Sequence, residues 1–430
     1  MNYEEIEKYI LDIPRFTEKH SLDYTAAFLE KLGNPQKHMR IIHVAGTNGK
    51  GSVCAFISSI LCKCGKRTGL FTSPHLIEIT ERISINGINV SKEMFALAFM
   101  HIKALADEMG NIGIPHPSYF EFLFLMAMYI FGNEGVEFAV LETGLGGLLD
   151  ATNAVEKPEV CVITSVGFDH MEILGNTIDE IAAQKAGIIK PFVPVIYQGE
   201  NLAVNRIIEA KARDLHSPAF KCTGKDYKII KKSNNNIDFC PLCGYYLNYV
   251  FSIPFIAEYQ VENAMLALRA AEMLDDINHD IENIMEGIKD VAWPGRMEQV
   301  MPGVYFDGAH NGPGIDEFVR TISSFECSGN KNILFSAVAE KDYKYMSEVI
   351  CREVCPAKVY VTRIKGSRGL SPDIIAGGFA GTDIYVSDNI EDTFFKALKE
   401  KKEGDVLFCV GSLYLVGELK KIIRDRIVEE

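Results

Sequence analysis

The chain has only one tryptophan among its 430 residues, and it has no surplus of positive charge. Its 44 lysines and arginines face 58 aspartates and glutamates, a formal net charge of -14. That balance argues against nucleic acid as a main partner, because phosphate backbones are held by a basic face. Long apolar runs are missing too. The longest uncharged one, Phe122 to Gly132, is too short to cross a bilayer and reads as a buried helix, so no membrane partner is expected. Met1 to His20 is charged throughout and has no apolar h-region, so no signal peptide is expected. No repeat of fixed period and no low-complexity tail is present. A disulfide framework is also absent: the eleven cysteines are odd in number and scattered, as expected of free thiols in a reducing cytoplasm. Cys240-Pro-Leu-Cys243 has the spacing of half a zinc ribbon, with Cys222 upstream. No second pair follows at the usual distance, so reduced, non-ligating thiols are expected.

What is present is the balance of a globular protein with a large core: 47% hydrophobic and 24% charged residues. The length suggests two or three domains. With a net negative field, an anionic substrate must be met by local lysines, arginines and metal ions.

Residues 41–52 read Ile-Ile-His-Val-Ala-Gly-Thr-Asn-Gly-Lys-Gly-Ser. An apolar run ends in a glycine-rich turn with one lysine and one serine, and a helical pattern follows. Gly46 and Gly49 allow the backbone to turn its N–H groups toward one anion. The helix beginning near Lys50 adds its positive dipole end. Lys50 can reach the β/γ-phosphates of a nucleotide, and the Ser52 hydroxyl can ligate magnesium. The loop is a variant: Val44 stands where the first glycine of the standard pattern is expected, and Gly51 separates Lys50 from Ser52.

Strand and helix patterns alternate from Ile41 to Gly199. Apolar runs at 41–45, 68–72, 138–142, 160–166 and 193–197 predict buried parallel strands. Helical patterns fall at 52–64, 91–109, 119–131, 177–189 and 201–215. The expected fold is α/β: an N-terminal doubly wound domain like the phosphate-loop NTPases, with ligands beyond the carboxyl ends of the strands. Asn86-Gly87 marks a hairpin within 82–90. Residues 220–258 predict a small antiparallel patch, and a helix follows over 260–274. The Pro-Gly pair in Ala292-Trp293-Pro294-Gly295-Arg296 predicts a domain junction. Strands expected at 303–307, 332–338, 357–362, 383–387 and 405–410 make a second, smaller Rossmann-like α/β domain. The expected division is 1–292, a hinge at 293–298, and 299–430.

Three strand ends carry polar groups toward the edge of the phosphate loop. Ser73 follows the second strand, Glu142 closes the strand 138–142, and His170 follows the strand 160–166. Magnesium favours oxygen ligands, with one or two carboxylates beside the phosphates. Histidine is the less usual ligand of the three.

These residues also carry a resemblance. The stretches VAGTNGKGSV (44–53), FTSPHL (71–76), ERISINGINV (81–90), LETGLGG (141–147), LDATN (149–153), ITSVGFDHMEILGNTIDEIAAQKAGIIK (163–190), WPGRME (293–298), DGAHN (307–311) and GSLYLVGE (411–418) run in order over nearly the whole chain. Together they resemble the folylpolyglutamate synthase/dihydrofolate synthase family of Mur-ligase-like, ATP-dependent amide ligases. The resemblance implies that L-glutamate is joined to the carboxylate of a folate or dihydropteroate through an acyl phosphate. It implies ATP held by Thr47, Asn48, Gly49, Lys50, Gly51 and Ser52, with Asn263 reading adenine and Arg296 and Asp307 adding contacts. Two magnesium ions are implied, one on Ser52 and one on Ser73, Glu142 and His170. Lys185 matches a lysine that such ligases carbamylate, and His310 matches a residue serving the nucleotide and the incoming amino acid. Pro74, His75, Arg82, Phe120 and Glu121 fall where the family binds its pterin substrate. Lys50, His170, Lys185 and His310 are the expected catalytic set, and a monomer is the expected state. The alternatives are another Mur-like amino-acid ligase, or a nucleotide-binding module without ligase activity.

Three departures stand out. Leu148 replaces a common arginine. Ala257-Glu258-Tyr259-Gln260 replaces the usual Gly-x-His-Gln. Ser367-Arg368-Gly369 replaces Pro-Arg-Ala.

Overall fold

The apolar runs become strands of two sheets in a computed structural model that describes residues 1–14, 20–366 and 368–429. Residues 15–19 of the segment read for a signal peptide, and Ser367 among the departures, lie outside the described residues.

The first sheet holds β1 (Arg40–Ala45), β2 (Thr68–Phe71), β3 (Ile83–Ile85), β4 (Ile88–Asn89), β5 (Phe138–Glu142), β6 (Val160–Ile163), β7 (Val195–Gln198) and β8 (Ala219–Cys222). Their order is β4-β3-β2-β5-β1-β6-β7-β8. The hairpin strands β3 and β4 are antiparallel, and the pairings from β2 through to β8 are parallel. From β1 the order runs outward to β5 on one side and to β6 on the other. That reversal is the switch point at which doubly wound sheets open a crevice beyond their carboxyl ends. Helices over Lys50–Lys63, Lys92–Asn111, Tyr119–Asn133, Ile178–Ala186 and Leu202–Asp214 complete the alternation. The fully apolar stretch Phe122–Met128 is buried, as expected for a core helix. Among the described residues no helix is long and apolar enough to cross a membrane.

Three expectations are corrected. The strand read over 160–166 stops at Ile163, because Thr164 and Ser165 turn to bond the phosphate loop instead of continuing the ladder. The helix read over 177–189 ends at Ala186, with Gly187 as its cap, and a separate turn covers Met171–Leu174. Residues 219–222 belong to the main sheet as β8, parallel to β7, and not to the small patch. That patch is a three-stranded sheet of β9 (Tyr227–Lys232), β10 (Ile237–Pro241) and β11 (Phe251–Ile253). All eleven cysteines are free thiols, and among the described residues no group of three His, Cys, Asp or Glu side chains is arranged to hold a metal.

The second sheet holds β12 (Glu298–Met301), β13 (Val304–Phe306), β14 (Lys331–Phe335), β15 (Lys358–Val361), β16 (Ile384–Val386) and β17 (Val406–Val410) in the order β12-β13-β17-β14-β15-β16. Every pairing in it is parallel except β12–β13. Ile315, Phe318, Phe335, Val359 and Phe408 centre its core. The chain forms two compact units without a single cut. The first takes 1–231, 238–253 and 260–291. The second takes 292–430 together with the short segments 232–237 and 254–259.

Candidate functional site

β1 delivers the chain straight into the glycine-rich turn. Gly46 (φ +154°) and Gly49 (φ +87°) both take backbone conformations that favour glycine. Space forbids a side chain at both as well: a Cβ on Gly46 would lie 1.8 Å from Thr164 Oγ1, and one on Gly49 2.5 Å from Asn263 Oδ1. The turn is tied down from β6. Thr164 Oγ1 donates to the Asn48 carbonyl at 2.6 Å, the Thr47 N–H donates to the Ser165 carbonyl at 2.7 Å, and Thr47 Oγ1 donates to the Gly167 carbonyl at 3.0 Å. Gly49 is the N-cap of the helix Lys50–Lys63 and offers no side-chain acceptor there, so the helix start keeps its positive end for an anion.

Lys50, Ser73 and Glu142 come together. Lys50 Nζ lies 3.8 Å from Glu142 Oε1 and donates to the Thr47 carbonyl at 3.2 Å. The other carboxylate oxygen, Oε2, accepts from the Ser73 N–H at 2.9 Å. Glu142 is 3% exposed. Parallel pairing of β5 with both β1 and β2 sets this geometry, because it brings the three strand ends to one edge.

Lys185 joins them from the helix Ile178–Ala186, whose start is fixed by the Thr177–Glu180 capping box. It is buried, and its ammonium donates to the Gly46 carbonyl at 2.7 Å. Burial pushes the amine down to about 7, and the Lys50 charge pushes the same way against Asp169 and Asp150. His170 sits on the loop after β6 with its side chain 44% exposed, 3.9 Å from Asp169.

The expected pterin residues fall into two groups. Arg82 donates from Nε to His75 Nδ1 at 2.9 Å and lies over the Tyr119 ring. Pro74 is exposed beside them, after a cis Ser73–Pro74 bond. Phe120 packs against Gly144, where a Cβ would come within 2.6 Å of the ring, so it borders the loop that follows Glu142. Glu121 closes the capping box of the helix Tyr119–Asn133 with Ser118, and it also takes a 2.9 Å contact from His20.

Two groups escaped the sequence reading. Gln260 donates to Ser52 Oγ at 3.2 Å and accepts from Asn263 Nδ2 at 2.9 Å. The i, i+3 spacing of Gln260 and Asn263 on one predicted helix was the available signal. Asp150 accepts from the Gly144 and Leu145 N–H groups and from Thr152, and the Thr152 hydroxyl also bonds the fully buried His43 at 2.7 Å. Asp-x-Thr after a glycine-rich turn is a side-chain turn signal.

In the second unit, Asp307 follows β13 and is 3% exposed. Oδ2 accepts from the Met297 N–H at 2.8 Å and from the Tyr259 hydroxyl at 3.3 Å, and Oδ1 accepts from the Ala309 N–H at 2.8 Å. Burial raises its carboxyl, and the Arg296 charge and these donors oppose the rise. His310 Nδ1 lies 2.7 Å from the Gly308 carbonyl.

A parallel sheet with a glycine cradle, a lysine and a buried carboxylate at its switch point defines a nucleotide-binding α/β protein. Two family models match: the Mur ligase middle domain over residues 44–271, and the Mur ligase glutamate ligase domain over 295–413. The dihydrofolate synthase/folylpolyglutamate synthase of Bacillus subtilis is 33% identical over 434 residues, covering 98% of this chain and 99% of that protein. A probable dihydrofolate synthetase of Schizosaccharomyces pombe is 31% identical, covering 92% and 96%. The Mycobacterium tuberculosis folylpolyglutamate synthase complexed with ADP matches with a TM-score of 0.87 and 26% identity, covering 98% of each chain. The Thermotoga maritima folylpolyglutamate synthase matches with a TM-score of 0.83 and 28% identity, covering 98% of this chain and 96% of that one. The chain belongs to the folylpolyglutamate synthase/dihydrofolate synthase family of Mur-type, ATP-dependent ligases.

Proposed function

We propose that this protein adds L-glutamate to the carboxylate of a folate, of dihydropteroate, or of both, at the expense of ATP. The observation that carries the reading is the convergence of Lys50, Glu142 and Lys185 on one glycine cradle. The substrate carboxylate attacks the γ-phosphate, giving an acyl phosphate and ADP. The glutamate amine then attacks the acyl carbon, and phosphate leaves. Side chains do little covalent work in such a sequence; they position groups and stabilise charge. Lys50 and the N–H groups of residues 47–52 hold the phosphates. Arg296, Asp307 and Asn263 serve the nucleotide, and His310 serves the nucleotide and the incoming amino acid. Pro74, His75, Arg82, Phe120 and Glu121 are assigned to the pterin substrate.

The donor set fits magnesium. Ser52 and Ser73 offer hydroxyls and Glu142 a carboxylate, with His170 as a nitrogen ligand. Two ions on these residues would neutralise phosphate charge. Lys185 is assigned as the carbamylated lysine. Carbamylation needs a neutral amine, and an amine brought down to about 7 is neutral in a large fraction at physiological pH. Carbamylation also turns a buried cation into an anion suited to a magnesium neighbourhood.

The test is to incubate pure protein with ATP, magnesium, labelled glutamate and either dihydropteroate or tetrahydrofolate. Labelled amide with either acceptor supports the reading, and the two arms separate the substrates. ATP-dependent product with neither acceptor would discard it.

A further inference from the structure

Tyr259 stands where the family commonly carries histidine, and the fold gives it a specific neighbour. It lies in the short segment 254–259 that groups with the second unit, and its hydroxyl reaches Asp307 Oδ2. Asp307 opens the Asp-Gly-Ala-His-Asn loop and spans two backbone segments. One oxygen holds the Ala309 N–H of that loop, and the other holds the Met297 N–H, next to Arg296. A second link joins the same segments, since the Gly308 N–H donates to the Gly295 carbonyl at 2.8 Å. Met297 sits at φ +48°, a conformation that a methionine adopts only when its surroundings impose it. The Asp307 bond to its N–H is one such imposition. Arg296 is therefore presented by a turn whose shape depends on an ionised Asp307.

We infer that Tyr259 is a positioning residue, whose hydroxyl keeps the Asp307 carboxylate in the bridging form that sets the 295–297 turn carrying Arg296. This rests on the proposed assignment of Asp307 and Arg296 to the nucleotide. The competing role is packing alone, because the Tyr259 ring also lies against the core of the second unit. The two roles separate on the acid side. The titratable groups around Asp307 are the charged Arg296 guanidinium and the neutral Tyr259 hydroxyl, with Glu317 in turn facing Tyr259. Burial already raises the Asp307 carboxyl, and the Tyr259 hydrogen bond favours its charged form. Losing that bond must raise the carboxyl further, so that nucleotide binding fails at a higher pH.

The experiment measures ADP affinity by calorimetry on the full chain from pH 5 to 8, for the wild type, Tyr259→Phe and Asp307→Asn. ADP binding does not depend on which acceptor the enzyme uses. For Tyr259→Phe the expected result is a loss of about 3- to 10-fold at pH 7, and an acid limb moved up by about half to one pH unit. An unshifted acid limb overturns the inference, and a lowered thermal midpoint without that shift assigns Tyr259 to packing. Asp307→Asn is the separate check. If it leaves ADP affinity unchanged, the assignment of Asp307 to the nucleotide falls. If it weakens ADP while Tyr259→Phe does nothing, only the role of Tyr259 falls.

Discussion

Lys185 in the first unit and Asp307 in the second are both buried charged groups of the proposed site, and the two are treated in opposite ways. In the first unit the Lys185 ammonium makes one hydrogen bond, to the neutral Gly46 carbonyl, with Lys50 as a repelling neighbour. In the second unit the Asp307 carboxylate has three donors and the Arg296 charge beside it. A buried charge with a single weak partner is poised to change its state; one with three donors is fixed. The difference teaches that the first unit holds a charge that can change its state near neutral pH, while the second builds a clamp.

The largest expected effect breaks the first side of this comparison. Lys50→Ala should lower turnover by about 10³-fold at saturating ATP and leave the fold intact, because in the proposed reaction its charge acts on the transferring phosphoryl group. Amide formation at near wild-type rate would sink the phosphate-loop assignment. The same variant should raise the Lys185 amine above about 7, since the Lys50 charge is one of its depressing causes. Labelling of lysine amines against pH reads that directly.

Next in size is Lys185→Ala, with a loss of about 10²-fold or more that short carboxylic acids such as acetate partly restore by standing in for the proposed carbamate. Normal turnover in the alanine variant would count against the carbamate. Stability should move the other way. The folded amine is near 7 and the unfolded one near its ordinary value of 10.5. Between those values the unfolded chain holds the extra proton, so this group's contribution to stability rises with pH across the window and is unfavourable below it. Lys185→Met should therefore stabilise the ligand-free, unmodified protein at pH 7 by an amount on the order of 1 kcal/mol or more. A lowered thermal midpoint would show that the Gly46 bond outweighs the buried charge.

Glu142→Gln is a smaller perturbation, because shape is kept and only charge is lost. The apparent magnesium requirement should rise by about 10-fold while ATP affinity changes little. An unmoved magnesium requirement makes Glu142 a structural anchor for the Ser73 backbone.

How much of this was legible in the sequence follows from where each signal resides. Lys50, Gly46 and Gly49 were readable because a strand-to-helix turn with glycines at fixed spacing admits few structures. The pairing of Ser73 with Glu142 was foreshadowed by strand ends in a parallel sheet. Lys185 was legible only through resemblance, since a helical lysine in Gln-Lys-Ala-Gly looks like a surface residue until its helix is docked under the loop. The end of β6 was misjudged because Val166 resumes the apolar run beyond Thr164 and Ser165, whose hydroxyls serve Asn48. Partners such as Gln260 on Ser52, or Tyr259 on Asp307, are tertiary facts that no local period encodes.

The smallest effect tests how the first unit holds the loop beside its unsettled charge. Asp150 fixes the Gly144 and Leu145 N–H groups, and the Thr152 hydroxyl donates to Asp150 at 2.6 Å. His43 is fully buried, and burial lowers its imidazole to about 3, so it is neutral at physiological pH; since the Thr152 hydroxyl donates to Asp150, the His43 Nε2–H donates a hydrogen bond to that hydroxyl. Thr152→Val keeps the shape but removes the central hydroxyl, so the buried His43 Nε2 loses its partner and Asp150 Oδ1 keeps only the 3.1 Å bond from the backbone N–H of residue 152 out of the two it had there. The expected cost is about 1–3 kcal/mol in stability, with turnover reduced only a few-fold because Lys50, Glu142 and Lys185 keep their own contacts. Chemical denaturation and steady-state rates read the two quantities separately. A stability loss without a turnover loss would mean that the loop after Glu142 holds its shape without this chain. A turnover loss comparable to that of Lys185→Ala would mean instead that the Asp150 loop sets the position of the lysine, and that the first unit is clamped as firmly as the second.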